Sequence, residues 1–378
     1  MPKSKGLDLV HVGADTLAGR FIRRFWQPVY VSTDLKAGWA KRIQILDEFF
    51  TLYRGQDGGA HLVADRCPHR NTQLSIGWVE GDAIRCFYHG WKFASSGACL
   101  EMPCEKESFA RKVTIRSYPV REYLGLIFAY LGEGAAPEFP LYPEIEEDNG
   151  YPLWNSRWEL PHNYFQRMEN DLDEAHVNFV HKTSADLSSE FSILPEFDAE
   201  ETDYGILRIG RRNRGDVTDV RYSHMLMPNK TLIIVPPSTK DDMWAVHLAW
   251  RVPVSADKTL SFIAGRRKPR KPMQGVAKTF APVDQLVNEI LEGRMRMQDV
   301  DPEHPMLFNI QDNVALAGQG AVYEDRETER LGQSDAAVIL LRKLFERELR
   351  ALKAGKPMKQ WKRPKTKLPL GFHPARAA

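Results

Sequence analysis

Cysteine is scarce in this chain: four residues among 378. That is too few for a disulfide scaffold, so stability has to come from buried apolar cores. Charge of one sign is lacking as well, since 52 lysines and arginines face 50 acids and leave a net +2. Nothing global therefore attracts nucleic acid or an anionic membrane surface. The longest apolar run, residues 123–131, is far short of the roughly 20 residues that cross a bilayer. The first residues show no basic start followed by an apolar stretch and a cleavage site. A cytoplasmic chain with no membrane or nucleic-acid partner is the expectation. There is no internal repeat and no dinucleotide-binding glycine motif, so any nicotinamide chemistry must reach this chain through another protein.

What is present is an ordinary globular composition, 43% hydrophobic and 27% charged, in a chain long enough for two domains. Residues 42–53 are rich in β-branched and aromatic side chains, residues 55–59 turn, and residues 61–64 resume. Short strands continue to about Leu131. Then residues 132–137 and prolines 140, 143 and 152 break the pattern, which puts a domain boundary near residue 150. The second part, 151–378, is mixed. Residues 162–181 have helical character, 206–264 alternate like antiparallel strands, and 283–297 read as helix. A last helix starts with Ser334 as N-cap, puts Val338, Leu341, Leu344, Phe345 and Leu349 on one face, and ends at Gly355. Two basic stretches, 266–272 and 351–378, read as solvated surface or subunit contact; docking of an acidic redox partner is the sharper alternative.

Two of the cysteines sit beside histidines. Cys67-Pro-His69 and Cys86-Phe-Tyr-His89 each offer one thiolate and one imidazole, sixteen residues apart. A common zinc finger pairs two cysteines in one knuckle and two histidines in the other. The mixed pairing suits a two-iron cluster with unequal irons, Cys67 and Cys86 on one and His69 and His89 on the other. Neutral imidazoles in place of thiolates raise the reduction potential, which suits an acceptor of single electrons. Residues 74–85 can run out and back as a hairpin between the two tips. A structural zinc site is the bland alternative. Cys99 and Cys104 have no histidine neighbour and read as unmodified thiols in core packing.

More than 200 residues follow the second knuckle, and they carry a further constellation: Glu169, Asn170, Asp173, His176 and His181. A mononuclear iron that handles O2 commonly takes two histidines and one carboxylate on one face. Glu169, Asp173 and His176 share a helix face by their i, i+4, i+7 spacing. His176 and His181 lie about 140° apart on an ideal helix, so both reach one metal only if the helix ends or distorts between them. A carboxylate on the outer nitrogen of a ligand histidine is the expected support. The third ligand must come from far along the chain, and Asp299, Asp301 and Asp312 are the candidates.

The knuckles, running on through Trp91-Lys-Phe93 and Gly97, resemble the Rieske domain of aromatic-ring-hydroxylating oxygenases; respiratory Rieske proteins carry an extra cysteine in each cluster loop, which is lacking here. The second constellation resembles the iron motif of the same oxygenases, E/N-x3-D-x2-H-x4-H, with every position filled. The resemblance covers about residues 26–342 and is closest to the phthalate and carbazole dioxygenase kind. It implies an α+β fold, with an N-terminal Rieske β-sandwich domain (1–150) and a C-terminal catalytic domain (151–378) built on a large antiparallel sheet flanked by helices. It also implies His176, His181 and Asp312 as iron ligands, the last from the pair Gln311-Asp312. Asp173 would carry the electron between centres, supported by Glu169. Such subunits form head-to-tail trimers in which one chain's cluster faces its neighbour's iron, so an isolated monomer should be inactive.

The implied activity is that of a terminal oxygenase. NADH, a flavin reductase and a ferredoxin would supply the electrons to a [2Fe–2S] cluster and thence to mononuclear Fe(II). O2 and a small aromatic substrate would meet there in dihydroxylation, monohydroxylation, or N- or O-dealkylation. Asn170, Val177, His247, Trp250 and Phe308 are the pocket candidates, each equally compatible with plain core. No isolated basic residue marks a substrate carboxylate, so aromatic acids and neutral aromatics both remain open. An electron carrier without oxygenase activity is the alternative of another class.

Overall fold

The structure, a computed structural model, describes residues 7–148, 150–182, 192–235, 245–266, 279–320, 322 and 328–376. The β-rich first third forms three small sheets. One holds Gln27–Val31, Leu126–Ala129 and Val120–Tyr123, and a second Ala40–Ile45, Glu48–Arg54, Ala60–Ala64 and Ser117–Tyr118. The third consists of Trp78–Glu80, Ala83–Arg85, Lys92–Phe93 and Cys99–Glu101, and so contains the hairpin expected between the knuckles. A core of its own, including Tyr53, Val63, Leu74, Ile84 and Phe93, lies under the knuckle region.

The second part is organised by one eight-stranded sheet. Its strands run in the order Leu153–Leu160, Lys258–Arg266, Ala245–Ser255, Lys230–Val235, Val217–Leu226, Gly205–Asn213 and Glu196–Glu201. The eighth, Phe372–Arg376, pairs with Val217–Arg221 beyond the point where Lys230–Val235 ends. Every pairing is antiparallel. Successive side chains of a strand point to opposite faces, and here both faces are covered. Trp250 packs edge-on against Phe128 and Tyr142 of the N-terminal part, while its neighbour Arg251 reaches Asp171 of a helix on the other side. The sheet thus stands between the knuckle-bearing part and that helix.

The single helical stretch expected over 162–181 is two helices, Tyr164–Leu172 and Ala175–Val180. The break is at Asp173, whose backbone is extended and whose Oδ1 accepts from the Ala175 and His176 N–H groups. A short side chain that satisfies the free donors of a helix start competes with helix continuation. The helix read over 283–297 stops at Leu291, and a separate turn covers Met297–Asp299. The last helix, Ala336–Lys353, begins one residue later than expected: Ser334 lies in the turn before it and Asp335 is the N-cap. Gly355 follows its end with φ of +64°, a conformation that favours glycine.

The basic C-terminal stretch is tied down at three of its basic residues, while Lys353, Lys356, Lys362 and Lys365 are exposed as expected of a solvated surface. Arg363 makes two hydrogen bonds to Glu144, Lys359 pairs with Glu201 and Lys367 with Glu147, and Leu368 is buried. Of the other basic stretch, Arg266 ends a strand and donates to the Ile145 and Tyr151 carbonyls; 267–272 lie outside the described residues. Cys104 is exposed, which corrects the expectation of core packing, whereas Cys99 is half-buried against the knuckle-region core.

Candidate metal centres

The two knuckles are near-copies in backbone terms. The Cys67 carbonyl accepts from Asn71 N–H, and the Cys86 carbonyl from Gly90 N–H, each closing one turn. Both turns end at positive φ, +58° at Asn71 and +73° at Gly90. Cys67 and Cys86 are buried side by side, whereas His69 is exposed and His89 partly so, with their ring centroids 4.4 Å apart. Trp91 stacks on His69 at 4.5 Å. Burial pushes the Cys67 thiol up to about 12, with Cys86 beside it adding to the rise. Two thiolates there need a cation between them. Sulfur inside and imidazole outside is the polarity of a cluster that presents its histidine edge to a partner.

The second centre gathers His176, His181 and Asp312, whose ligand atoms all lie within 4.8 Å of one another. The helix Ala175–Val180 stops one residue before His181, which is how both histidines turn to one point. Asp312 arrives on the helix Leu307–Ala317, held against Val283–Leu291 by Leu286, Val287 and Ile310. His176 Nδ1 donates to the Asp173 carbonyl at 2.5 Å, and His181 Nδ1 to Gln311 Oε1 at 2.8 Å. Each histidine thereby keeps an Nε2 lone pair for the centre. His181 Nε2 and Asp312 Oδ1 are 3.2 Å apart, buried, and without a hydrogen bond. Two lone pairs facing each other at that distance fit a metal ion between them.

Charge is concentrated around this centre. Arg167 donates to Asp312 Oδ2 at 2.7 Å and contacts Asp171, which Arg251 holds with two hydrogen bonds. Burial opposes ionisation of Asp312, but the Arg167 guanidinium together with His176 and His181 outweighs it and holds the carboxyl well below the usual range. A further buried group surrounds Glu174. Arg212 approaches its carboxylate at 2.6 Å, Arg208 at 3.0 Å and Arg221 at 3.6 Å. Burial would raise the Glu174 carboxyl, yet Arg208, Arg221 and Arg212 lower it to about 2. Arg208 also donates to the Leu172 carbonyl, so this group anchors both ends of the helix break.

Residues 25–119 match the family described as Rieske [2Fe-2S] domain. Over 91% of its length the chain is 31% identical to the phenoxybenzoate dioxygenase subunit alpha of Ectopseudomonas oleovorans, spanning 84% of that protein. The chain belongs to the Rieske oxygenases. Over 93% it is 30% identical to the 5,5'-dehydrodivanillate O-demethylase oxygenase subunit of Sphingobium sp. (strain NBRC 103272 / SYK-6), spanning 81% of that protein. Among solved structures, the terminal oxygenase of carbazole 1,9a-dioxygenase from Novosphingobium sp. KA1 shares the fold, with a TM-score of 0.62 at 22% identity over 87% of this chain and 94% of that one. As a Rieske oxygenase this is an oxidoreductase whose cofactors are a [2Fe–2S] cluster and a mononuclear iron.

Several site expectations shift. Glu169 pairs with Arg342 of the last helix at 2.6 Å, and Arg342 in turn with Glu329. The Asp173 carboxylate stays 3.8 Å from His176 Nδ1, the backbone carbonyl having taken that hydrogen bond. Asp299 caps a turn with Arg296 and Asp301 caps another, both apart from the histidines. Trp250 points away, into the core shared with the N-terminal part, whereas His247 is on the opposite face with Arg251 and touches Trp154. Phe308 stacks on His181 at 3.4 Å, Val177 is half-buried beside His176, and Asn170 is buried in the helix before it. Sequence reasoning missed Arg167, Asp171, Glu174 and the arginines around them. The signal was there for two of these: Arg208 and Arg212 alternate in step with Ile206, so they point to the buried face of a strand and require an acid.

Proposed function

We propose that this Rieske oxygenase is the terminal component of a multicomponent system oxidising a small aromatic carboxylate. Cys67, His69, Cys86 and His89 would hold the cluster; His176, His181 and Asp312 would hold the iron. The observation that carries the assignment is the pair of buried, unsatisfied lone pairs at His181 and Asp312, 3.2 Å apart. The bound iron supplies the redox chemistry with O2; the chain's residues orient and enclose. Gln311 and the Asp173 carbonyl fix the imidazole tautomers.

The substrate class follows from kinship. The relatives named above act, by their names, on phenoxybenzoate and dehydrodivanillate. Kinship to both a dioxygenase and an O-demethylase supports either ring hydroxylation or demethylation.

We further infer a division into two domains near residue 150, a cytoplasmic location, and electron delivery from NADH through a reductase or ferredoxin. A head-to-tail homotrimer supports transfer from the exposed cluster histidines, rimmed by exposed Ile76, Trp78, Phe87 and Tyr88, to a neighbouring chain. Asp173, one-third exposed beside His176, would bridge the two centres.

The test is iron and acid-labile sulfide per chain in anaerobically purified protein, then NADH-driven turnover of aromatic acids and their methyl esters. Cluster iron plus one further iron, with acids consumed and esters not, is the expected result. Cluster iron alone, unchanged on adding Fe(II), would make the chain an electron carrier; zinc without sulfide would end the reading.

A further inference from the structure

The two imidazole ligands are supported by neutral groups, a backbone carbonyl and a side-chain amide. The carboxylate is treated differently. Arg167 Nη1 donates to Asp312 Oδ2 at 2.7 Å, across 145 residues of chain. Its other terminal nitrogen lies 3.2 Å from Asp171 Oδ1, one helical turn on. Asp171 accepts from Arg251 Nε at 2.6 Å, Arg251 Nη2 at 2.8 Å and Thr231 Oγ1 at 3.0 Å, and Arg251 also donates to Ser261. The result is an alternating series, Asp312, Arg167, Asp171, Arg251, that runs from the metal centre to the sheet.

We propose that Arg167 sets how Asp312 binds metal: its guanidinium occupies Oδ2 and leaves Oδ1 as the one oxygen facing the ion. The proposal rests on Asp312 being a ligand, as argued above. A free carboxylate beside a divalent ion can close on it with both oxygens. A charge-assisted hydrogen bond from a held guanidinium competes for one of them and draws charge from the other. Arg167 is held, because swinging away would leave two buried carboxylates, Asp312 and Asp171, short of a counter-charge. The ion is then gripped by three protein atoms, two Nε2 and one Oδ1, and the remaining positions stay available to O2 and to substrate. Arg167 is thus a positioning residue, acting through Asp312.

The experiment uses the full-length protein with its cluster intact and the mononuclear site emptied by chelation and refilled with Zn(II). Metal-minus-apo infrared difference spectra with 13C-labelled aspartate read the separation of the two carboxylate stretches, wide for one-oxygen and narrow for two-oxygen binding. Wild type and Arg167→Lys should give the wide separation. Arg167→Met should give the narrow one and bind Zn(II) about tenfold more tightly, the size expected for releasing one charged hydrogen bond. A narrow separation in wild type overturns the proposal, whatever becomes of the variants. So does an Arg167→Met protein with intact cluster absorbance whose spectrum and affinity match wild type. Asp312→Asn, run alongside, separates the two claims. If it binds Zn(II) like wild type, the ligand assignment falls; if it loses Zn(II) while Arg167→Met changes nothing, only the role of Arg167 falls.

Discussion

At the knuckles, four candidate ligands come from two turns sixteen residues apart, each closed by its own backbone hydrogen bond. At the second centre, His181 and Gln311 are joined across 130 residues, and the helix carrying His176 stops just before His181, which lets both turn inward. The first region shields its sulfurs with apolar packing and leaves its histidines at the surface. The second is buried among guanidiniums and carboxylates, where any unpaired charge would be costly. A site made from local turns depends on backbone conformation; a site closed over long range depends on the packing and charge pairing that hold distant elements in register.

The strongest break in that comparison is to remove one ligand from each side. His176→Ala should abolish turnover and lower iron by one per chain while sulfide and cluster colour persist. Cys67→Ser should bleach the cluster yet leave metal binding at the second centre. Loss of both metals in either variant, measured by elemental analysis, would show that the regions are not independent.

Next is the charge group that only the second region has. Glu174→Gln leaves three guanidiniums around a neutral amide, and removing one partner of a buried pair costs about 3–5 kcal/mol. Urea denaturation should show a loss of that order. A loss below about 1 kcal/mol would mean that the arginines are neutralised without Glu174.

His162 sharpens the comparison by pH. It is buried beside the Asn313 side chain, and burial first, then Arg167, pushes its pKa down from 6.5 to about 4. The unfolded chain therefore binds a proton below pH 6.5 that the folded chain refuses. Stability is full above pH 6.5 and falls as pH drops toward 4, by about 3 kcal/mol in all. The urea midpoint of His162→Gln should be flatter than wild type over that window, and parallel curves would refute the assignment.

The smallest effect is steric. A Cβ on Gly210 would sit 2.8 Å from Glu174 Oε2, and crowding a packed interior costs about 1–3 kcal/mol. Gly210→Ala should lower the melting temperature by several degrees and weaken Fe(II) retention, because Glu174 is two residues from His176. An unchanged melting curve would show that the carboxylate has room to move.

The amino-acid sequence by itself determined the knuckles, the strand-rich first third, the alternating strands of residues 206–264 and the two histidines. Each of these depends on residue type and short spacing, which backbone geometry translates directly into turns, pleats and helix faces. It narrowed the carboxylate ligand to three aspartates, and only kinship chose among them. Tertiary structure decided the rest: that Glu169 turns to Arg342, that Trp250 and Arg251 fall on opposite sides of one sheet, that Arg363 and Lys359 of the basic tail meet Glu144 and Glu201, and that Arg167 meets Asp312. Those pairings join residues far apart in the chain. Spacing carries no information about them; which charges meet is set when the sheet and helices close on one another and no buried charge can be left alone.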